Sequence, residues 1–229
     1  MLICPVLLLF CRWLTRSLIM SSKLSDYTIT TARLVSFSDG VFAIAVTLLV
    51  FNLKVPQISP ADAHLLLPQM IKHMLPNFTT YVLSFLLIAI YWTFHHRILN
   101  VVTHIDTTFL WLNICYLLLI SFIPFPAALF GSYPNETFSF IFYILSMILV
   151  NVVTMMMLAY ASYKNRLISK ELPGAIVKYL FYRQFTTVLI FLLSIPLALY
   201  KLQIAQYCLF ILFPVHWFTR KYFRKYAEK

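Results

Sequence analysis

Arg33-Leu-Val-Ser-Phe37-Ser38-Asp39-Gly40 opens directly onto Val41-Phe-Ala-Ile44-Ala-Val-Thr47-Leu48-Leu-Val-Phe51-Asn-Leu53, placing an arginine and an aspartate at the mouth of an apolar run. Ionisable groups at membrane depth cost at least ~2.5–3.5 kcal/mol each, so they are retained mainly where they face a bundle interior or a water-filled path. The stretch therefore reads as a membrane helix whose charged end serves other helices or water rather than lipid.

The rest of the chain agrees. Of 229 residues, 62% are hydrophobic and only 11% charged, where a water-soluble domain carries roughly 25% charged residues. Apolar runs of spanning length predict an all-α, polytopic integral membrane protein with six transmembrane helices: Arg33–Lys54, Asn77–Arg97, Thr107–Phe130, Thr137–Tyr163, Val177–Tyr200 and Leu202–Phe218. The six-helix transmembrane domain is thus residues 32–219, preceded by a leader over 1–31 and followed by a basic tail over 220–229. Val55–Pro76, with prolines at 56, 60, 68 and 76, is the one long connection, and its apolar part His64–Leu75 reads as an interfacial helix. Ser121-Phe-Ile-Pro124-Phe-Pro126 either kinks the third span or precedes a plain helix end near Gly131, the latter being preferred.

Basic residues set the orientation. With a cytoplasmic N-terminus, 15 of the 18 Lys and Arg fall on the cytoplasmic side and Lys54, Lys72 and Lys201 outside. An even span count returns the C-terminus to that side, so the expected location is the cell membrane with both termini cytoplasmic. The net charge of +11 is then topology, lipid bilayer is the surrounding partner, and nucleic acid is not. The tail from Arg220 to Lys225 faces anionic headgroups. The leader is read either as an amphipathic segment or as an upstream start with translation from Met20. Cys4, Cys11, Cys115 and Cys208 form no disulfide framework.

Chemistry concentrates where the first two spans run antiparallel. Arg33, Phe37, Ser38 and Asp39 begin one helix, and Trp92, His95, His96 and Arg97 end the other at matching depth. Trp92 and His96, four apart, share a face. A carboxylate, an imidazole, an indole N–H and a guanidinium are expected to meet there, chiefly to brace the helices. Further on, Ile44, Thr47, Leu48 and Phe51 fall at i, i+3, i+4 and i+7, one stripe of the helix, with Asp39 on roughly the opposite side. By periodicity alone such a stripe is packing more often than pore. Asn113 and Asn151 read as interhelical hydrogen-bonding residues, and Met155-Met-Met157 as adaptable packing.

The Arg-xxx-Phe-Ser-Asp signature, together with the Trp and His of the second helix, closely resembles the lysosomal/endosomal potassium channel family, in its short bacterial branch with one six-helix repeat per chain. The resemblance implies a potassium-permeable channel, a homotetramer whose first helices line a central pore. It implies a constriction at a ring of Ile or Leu five residues after the motif Asp, hence at Ile44, with the Thr47 hydroxyl close by and Leu48 or Phe51 as the next ring outward. It implies that Trp92 and His96 brace Arg33, Phe37, Ser38 and Asp39. Permeant potassium ions and further copies of the chain are the implied partners, and no cofactor is implied.

Physically, a ring of branched aliphatic side chains narrows and dewets a pore. The common carbonyl filter, Thr-Val-Gly-Tyr-Gly, is missing from a chain with three glycines, so any selectivity must come from side chains. Two other classes compete. A proton- or cation-coupled secondary transporter would use Asp39 and His96 as carriers, but predicts an internal repeat with broken helices. A membrane-embedded metalloenzyme would use His95, His96 and His104, which are too few and too dispersed for a di-iron box. The expectation is therefore neither an enzyme nor a metal site.

Overall fold

The computed structural model describes residues 30–163, 166–168 and 174–227. Most of the leader, including Cys4 and Cys11, and the last two residues of the tail lie outside the described residues.

Helix α1 spans Thr31–Leu48. Thr30 starts it, its Oγ1 accepting from the Arg33 backbone N–H at 3.4 Å; such a cap satisfies one of the donors that a helix start leaves free. The helix tightens into a 3-10 turn over Leu49–Asn52 and ends at Leu53. Pro56 and Pro60 follow, and then α2 (Ala63–His73), which buries none of its residues. Its leucines 65, 66 and 67 are all exposed, so it adds nothing to the buried core.

Helix α3 (Leu75–Val101) carries Pro76 in its first turn, where no N–H is needed. Helix α4 (Thr107–Phe122) is capped by Asp106, whose carboxylate accepts from the Phe109 N–H at 2.8 Å. Pro124 and Pro126 remove two consecutive-turn donors, and the chain breaks at Ile123 before resuming as α5 (Pro124–Ser132). The third span is thus broken at the prolines, the reading not preferred from the sequence, and it also ends just beyond Gly131, at Ser132. Gly131 lets α5 lie close to α3, since a Cβ there would meet the Asn77 backbone at 3.4 Å. The bundle continues with α6 (Thr137–Ser162), α7 (Gly174–Tyr200) and α8 (Leu202–Ala227).

Among the described residues there is no strand, only an isolated bridge between Val102 and Ile168. Five segments are long and apolar enough to cross a bilayer: Thr31–Asn52, Leu75–Val101, Thr107–Ser132, Thr137–Ser162 and Ile176–Tyr200. They match the first five expected spans within a few residues. The sixth differs, because the apolar part of α8 is the shorter Leu202–Leu212.

Helix α6 forms the middle of the bundle, packed by α4, α5 and α7, whereas α1 sits at one edge against α4 and α3. Leu34, Ser38, Phe42, Ala45 and Leu49 form its buried line. Spacings of three and four put these residues on one face.

Candidate functional site

The buried face of α1 is held by a ladder of polar and aromatic contacts. At the outer rung the Trp92 indole N–H donates to Asp39 Oδ1 at 2.8 Å, and the His96 ring stacks on the Trp92 ring at 5.7 Å. The i, i+4 spacing puts Trp92 and His96 on the same side of α3, as the sequence predicts. His96 makes no hydrogen bond to Asp39; its Nδ1 is buried without a partner. Arg33 is exposed, and the one ion pair among the described residues, Arg166 with Asp106, lies elsewhere.

One residue round the helix from His96, His95 turns into the bundle, where it is 1% exposed. Its Nε2–H donates to Asn113 Oδ1 at 2.6 Å. Asn113 in turn donates from Nδ2 to Ser38 Oγ at 3.2 Å, and the Ser38 hydroxyl donates back to the Leu34 carbonyl at 2.8 Å. Three helices thus meet through one fully buried amide. The His95 ring lies flat on Tyr116, with centroids 4.9 Å apart, and Phe42 of α1 tilts against both. Tyr116 carries the ladder deeper by donating to the Tyr91 carbonyl at 3.2 Å. The Tyr91 hydroxyl then accepts from Asn151 Nδ2 of α6 at 2.8 Å. In a medium where lipid offers no partners, such bonds decide how helices are oriented. Asn113 and Asn151 are interhelical bonding residues, as expected. The role of His95 rather than His96 as the inward imidazole was not legible, because neither residue alternates with a pattern that fixes helix rotation.

The opposite face of α1 has no such contacts. Ile44 is 61% exposed and Phe51 74%, and Thr47 and Leu48 are exposed beside them. The Thr47 hydroxyl donates to the carbonyls of Ala43 and Ile44 at 3.0 and 2.9 Å. Its oxygen lone pairs are therefore left facing outward. Between this stripe and α3 runs an open groove of about 390 Å³, lined by Asp39, Phe42, Ala43, Val46, Phe85, Ala89 and Trp92.

A second polar cluster escaped the sequence reading. Asp106, besides capping α4, accepts from the Tyr160 hydroxyl at 2.5 Å through Oδ2 and pairs with Arg166 at 3.5 Å. Arg166 also lies over the Tyr160 ring at 4.7 Å. Beside it the backbone N–H and hydroxyl of Thr103 both donate to the Leu167 carbonyl. The connections α3–α4 and α6–α7 are thereby clamped together. The Asp106-Thr-Thr-Phe start of α4 was the available signal, since Asp before a helix is a capping residue. Among the described residues no group of three or more His, Cys, Asp or Glu side chains converges as a metal site.

These features define a polytopic helical membrane protein whose first helix is pinned along one face and open along the other. Residues 33–124 match the family model of the endosomal/lysosomal potassium channel TMEM175. A potassium channel of Chamaesiphon minutus is 41% identical over 103 residues, 45% of this chain and 50% of that one. The endosomal/lysosomal proton channel TMEM175 of Gallus gallus is 22% identical over 151 residues, 66% of this chain and 30% of that one. The chain spans about half the length, or less, of these curated relatives. The solved structure of a lysosomal potassium-selective channel TMEM175 homologue from Chamaesiphon minutus superposes with a TM-score of 0.70 at 26% identity. That superposition covers 87% of this chain and 98% of the other.

Proposed function

We propose that this chain is a potassium-permeable channel that acts as a homotetramer, with α1 of each copy facing a common axis and Ile44 forming the constriction. The observation that carries the reading is the exposure of Ile44, Thr47, Leu48 and Phe51 on a helix whose other face is fully engaged. An exposed aliphatic stripe on a pinned helix suits a rigid pore lining: the ladder through Asp39, Ser38, His95 and Asn113 fixes which residues turn outward. Ile44 would exclude water from the path, and the lone pairs of Thr47 would replace part of the ion's hydration shell. Arg33, Phe37, Ser38, Asp39, Trp92 and His96 position the helix and do not touch the ion.

On this reading α8 crosses the membrane a sixth time over Leu202–Phe218 and returns the C-terminus to the cytoplasmic side of the cell membrane. Its short apolar part is supported by flanking aromatic and basic residues, with Lys221 over the Trp217 ring at 5.4 Å. The relatives named for potassium share more identity with this chain than the relative named for protons, which favours potassium as the permeant ion. The test is recording from purified protein in planar bilayers under opposed potassium, sodium and proton gradients. Unitary current steps reversing toward the potassium potential are expected. Slow saturable flux without steps would make the protein a transporter, and reversal at the proton potential would replace the permeant ion.

A further inference from the structure

Helix α7 is held chiefly by α6 and α8. Its residues Arg183, Gln184 and Thr187 stand at spacings of three and four and so share a face, and this face is turned toward Tyr91 and Phe94 of α3. Between them lies a small cavity of about 10 Å³, with Leu212 of α8 as a further wall. Gln184 is the residue that does not suit a dry interface. It lies ten residues after Gly174, the first residue of α7, about 15 Å along the helix, at a depth where lipid offers no partner. The side chain is 3% exposed, and its Nε2 is buried with no hydrogen-bond partner among the described residues. A buried amide N–H without an acceptor bears the full penalty of its desolvation.

We infer that this cavity is the binding site of one ordered water molecule, which accepts from the Gln184 amide and joins α7 and α8 to α3. Size and lining select the occupant. A space of about 10–15 Å³ holds one water, and buried waters occupy sites that offer two to four polar partners. Tyr91, Arg183, Gln184 and Thr187 all bring polar atoms to the lining. The Thr187 hydroxyl donates to the Arg183 carbonyl at 2.9 Å, so with its proton committed it meets a water as an acceptor. The same size excludes an acyl chain. An amide N–H and a guanidinium at the wall repel a potassium ion. The Arg183 guanidinium lies over the Phe94 ring at 5.6 Å, a cation–π contact that keeps this ring beside the cavity. Helix α3 also carries Trp92 and His95, which orient α1, so the water ties the last two helices to the one that sets the rotation of the first. The inference depends neither on how copies assemble nor on which ion permeates.

The test is radiolytic hydroxyl-radical footprinting of the full chain in lipid nanodiscs, where radicals formed from a bound water mark the side chains beside it. Phe94 is 2% exposed and Phe140 0%, so neither is reached from outside. Phe94 is expected to be modified severalfold faster than Phe140. Gln184→Met, of similar length but without an amide, is expected to bring Phe94 down to the Phe140 rate. Gln184→Asn keeps the donor and is expected to keep the mark. Equal background rates for Phe94 and Phe140 in the wild type would overturn the inference by showing a dry cavity. A Phe94 rate unchanged in Gln184→Met would overturn it by removing the amide from the site. A melting temperature that falls on replacing chloride by gluconate in the wild type, and not in Gln184→Met, would make the occupant an anion instead of water.

Discussion

Helices α1 and α6 are both apolar enough to span a membrane, yet they are used in opposite ways. Over their most apolar windows 28% of α1 is buried against 56% of α6. Helix α6 buries Phe140, Ile144, Met147, Asn151, Val153 and Leu158 among others, over roughly half of its circumference, while α1 buries a single line. In water such exposure would mark a defect; in lipid apolar residues face out without penalty, so hydropathy alone does not separate a core helix from one with an open face. What separates them is whether buried polar groups fix the rotation of a helix that is otherwise open. On α1 they do.

The contrast breaks first if the core helix tolerates truncation. Met147→Ala removes a side chain with no exposure and is expected to cost about 2–5 kcal/mol. Leu48→Ala on the open stripe is expected to stay within about 0.5 kcal/mol. Thermal unfolding in detergent, followed by tryptophan fluorescence, compares the two; equal losses would place Leu48 in a packed interface within the protomer. Ile44→Asn sharpens the same comparison through function: with Ile44 at the proposed constriction, the fold is expected to be retained and the potassium current to rise severalfold as the pore wets. A drop in stability with no gain in current would return Ile44 to packing.

Asp39→Asn is expected to have a smaller effect than a buried ion pair would suggest. The residue it meets is Trp92, not a cation of its own chain, and an amide oxygen still accepts from the indole N–H. The loss is the charge assistance of one hydrogen bond, about 1 kcal/mol, measurable as a shifted melting temperature of the protomer. The smallest change belongs to Thr47→Val, which keeps the shape of an exposed side chain and removes its outward lone pairs. Folding should be unaffected, while the potassium-to-sodium permeability ratio falls; bi-ionic reversal potentials that stay fixed would show that the oxygen does not meet the ion.

Sequence reading went furthest where one physical constraint dominates. Bilayer thickness sets run length, so five of six spans fall where the apolar runs put them, and Pro124 with Pro126 marks the break in the third. Helical periodicity placed Trp92 beside His96 and grouped Ile44, Thr47, Leu48 and Phe51. Contacts between distant segments were less legible. The choice between His95 and His96 depends on the rotation of α3, which is set by Asn113 and Tyr116, far along the chain. The expected meeting of Asp39 with a cation was a matter of depth alone, and depth does not say which way a side chain turns. Asp106 was missed because its partners, Tyr160 in the last turn of α6 and Arg166 in the connection after it, lie more than fifty residues along the chain.

That clamp has a consequence for how the protein is made. Tyr160 lies 54 residues after Asp106, so at ordinary ribosomal speeds the carboxylate waits roughly 3–11 s for the hydroxyl to be synthesised. Through that interval helices α4 and α5 have been made with the Asp106 end of α4 untied, and only the arrival of α6 closes it. The middle helix of the finished bundle is thus also the one whose synthesis locks the first three spans, and a ribosome that stalls before Tyr160 leaves a half-assembled molecule with its carboxylate exposed to quality-control machinery.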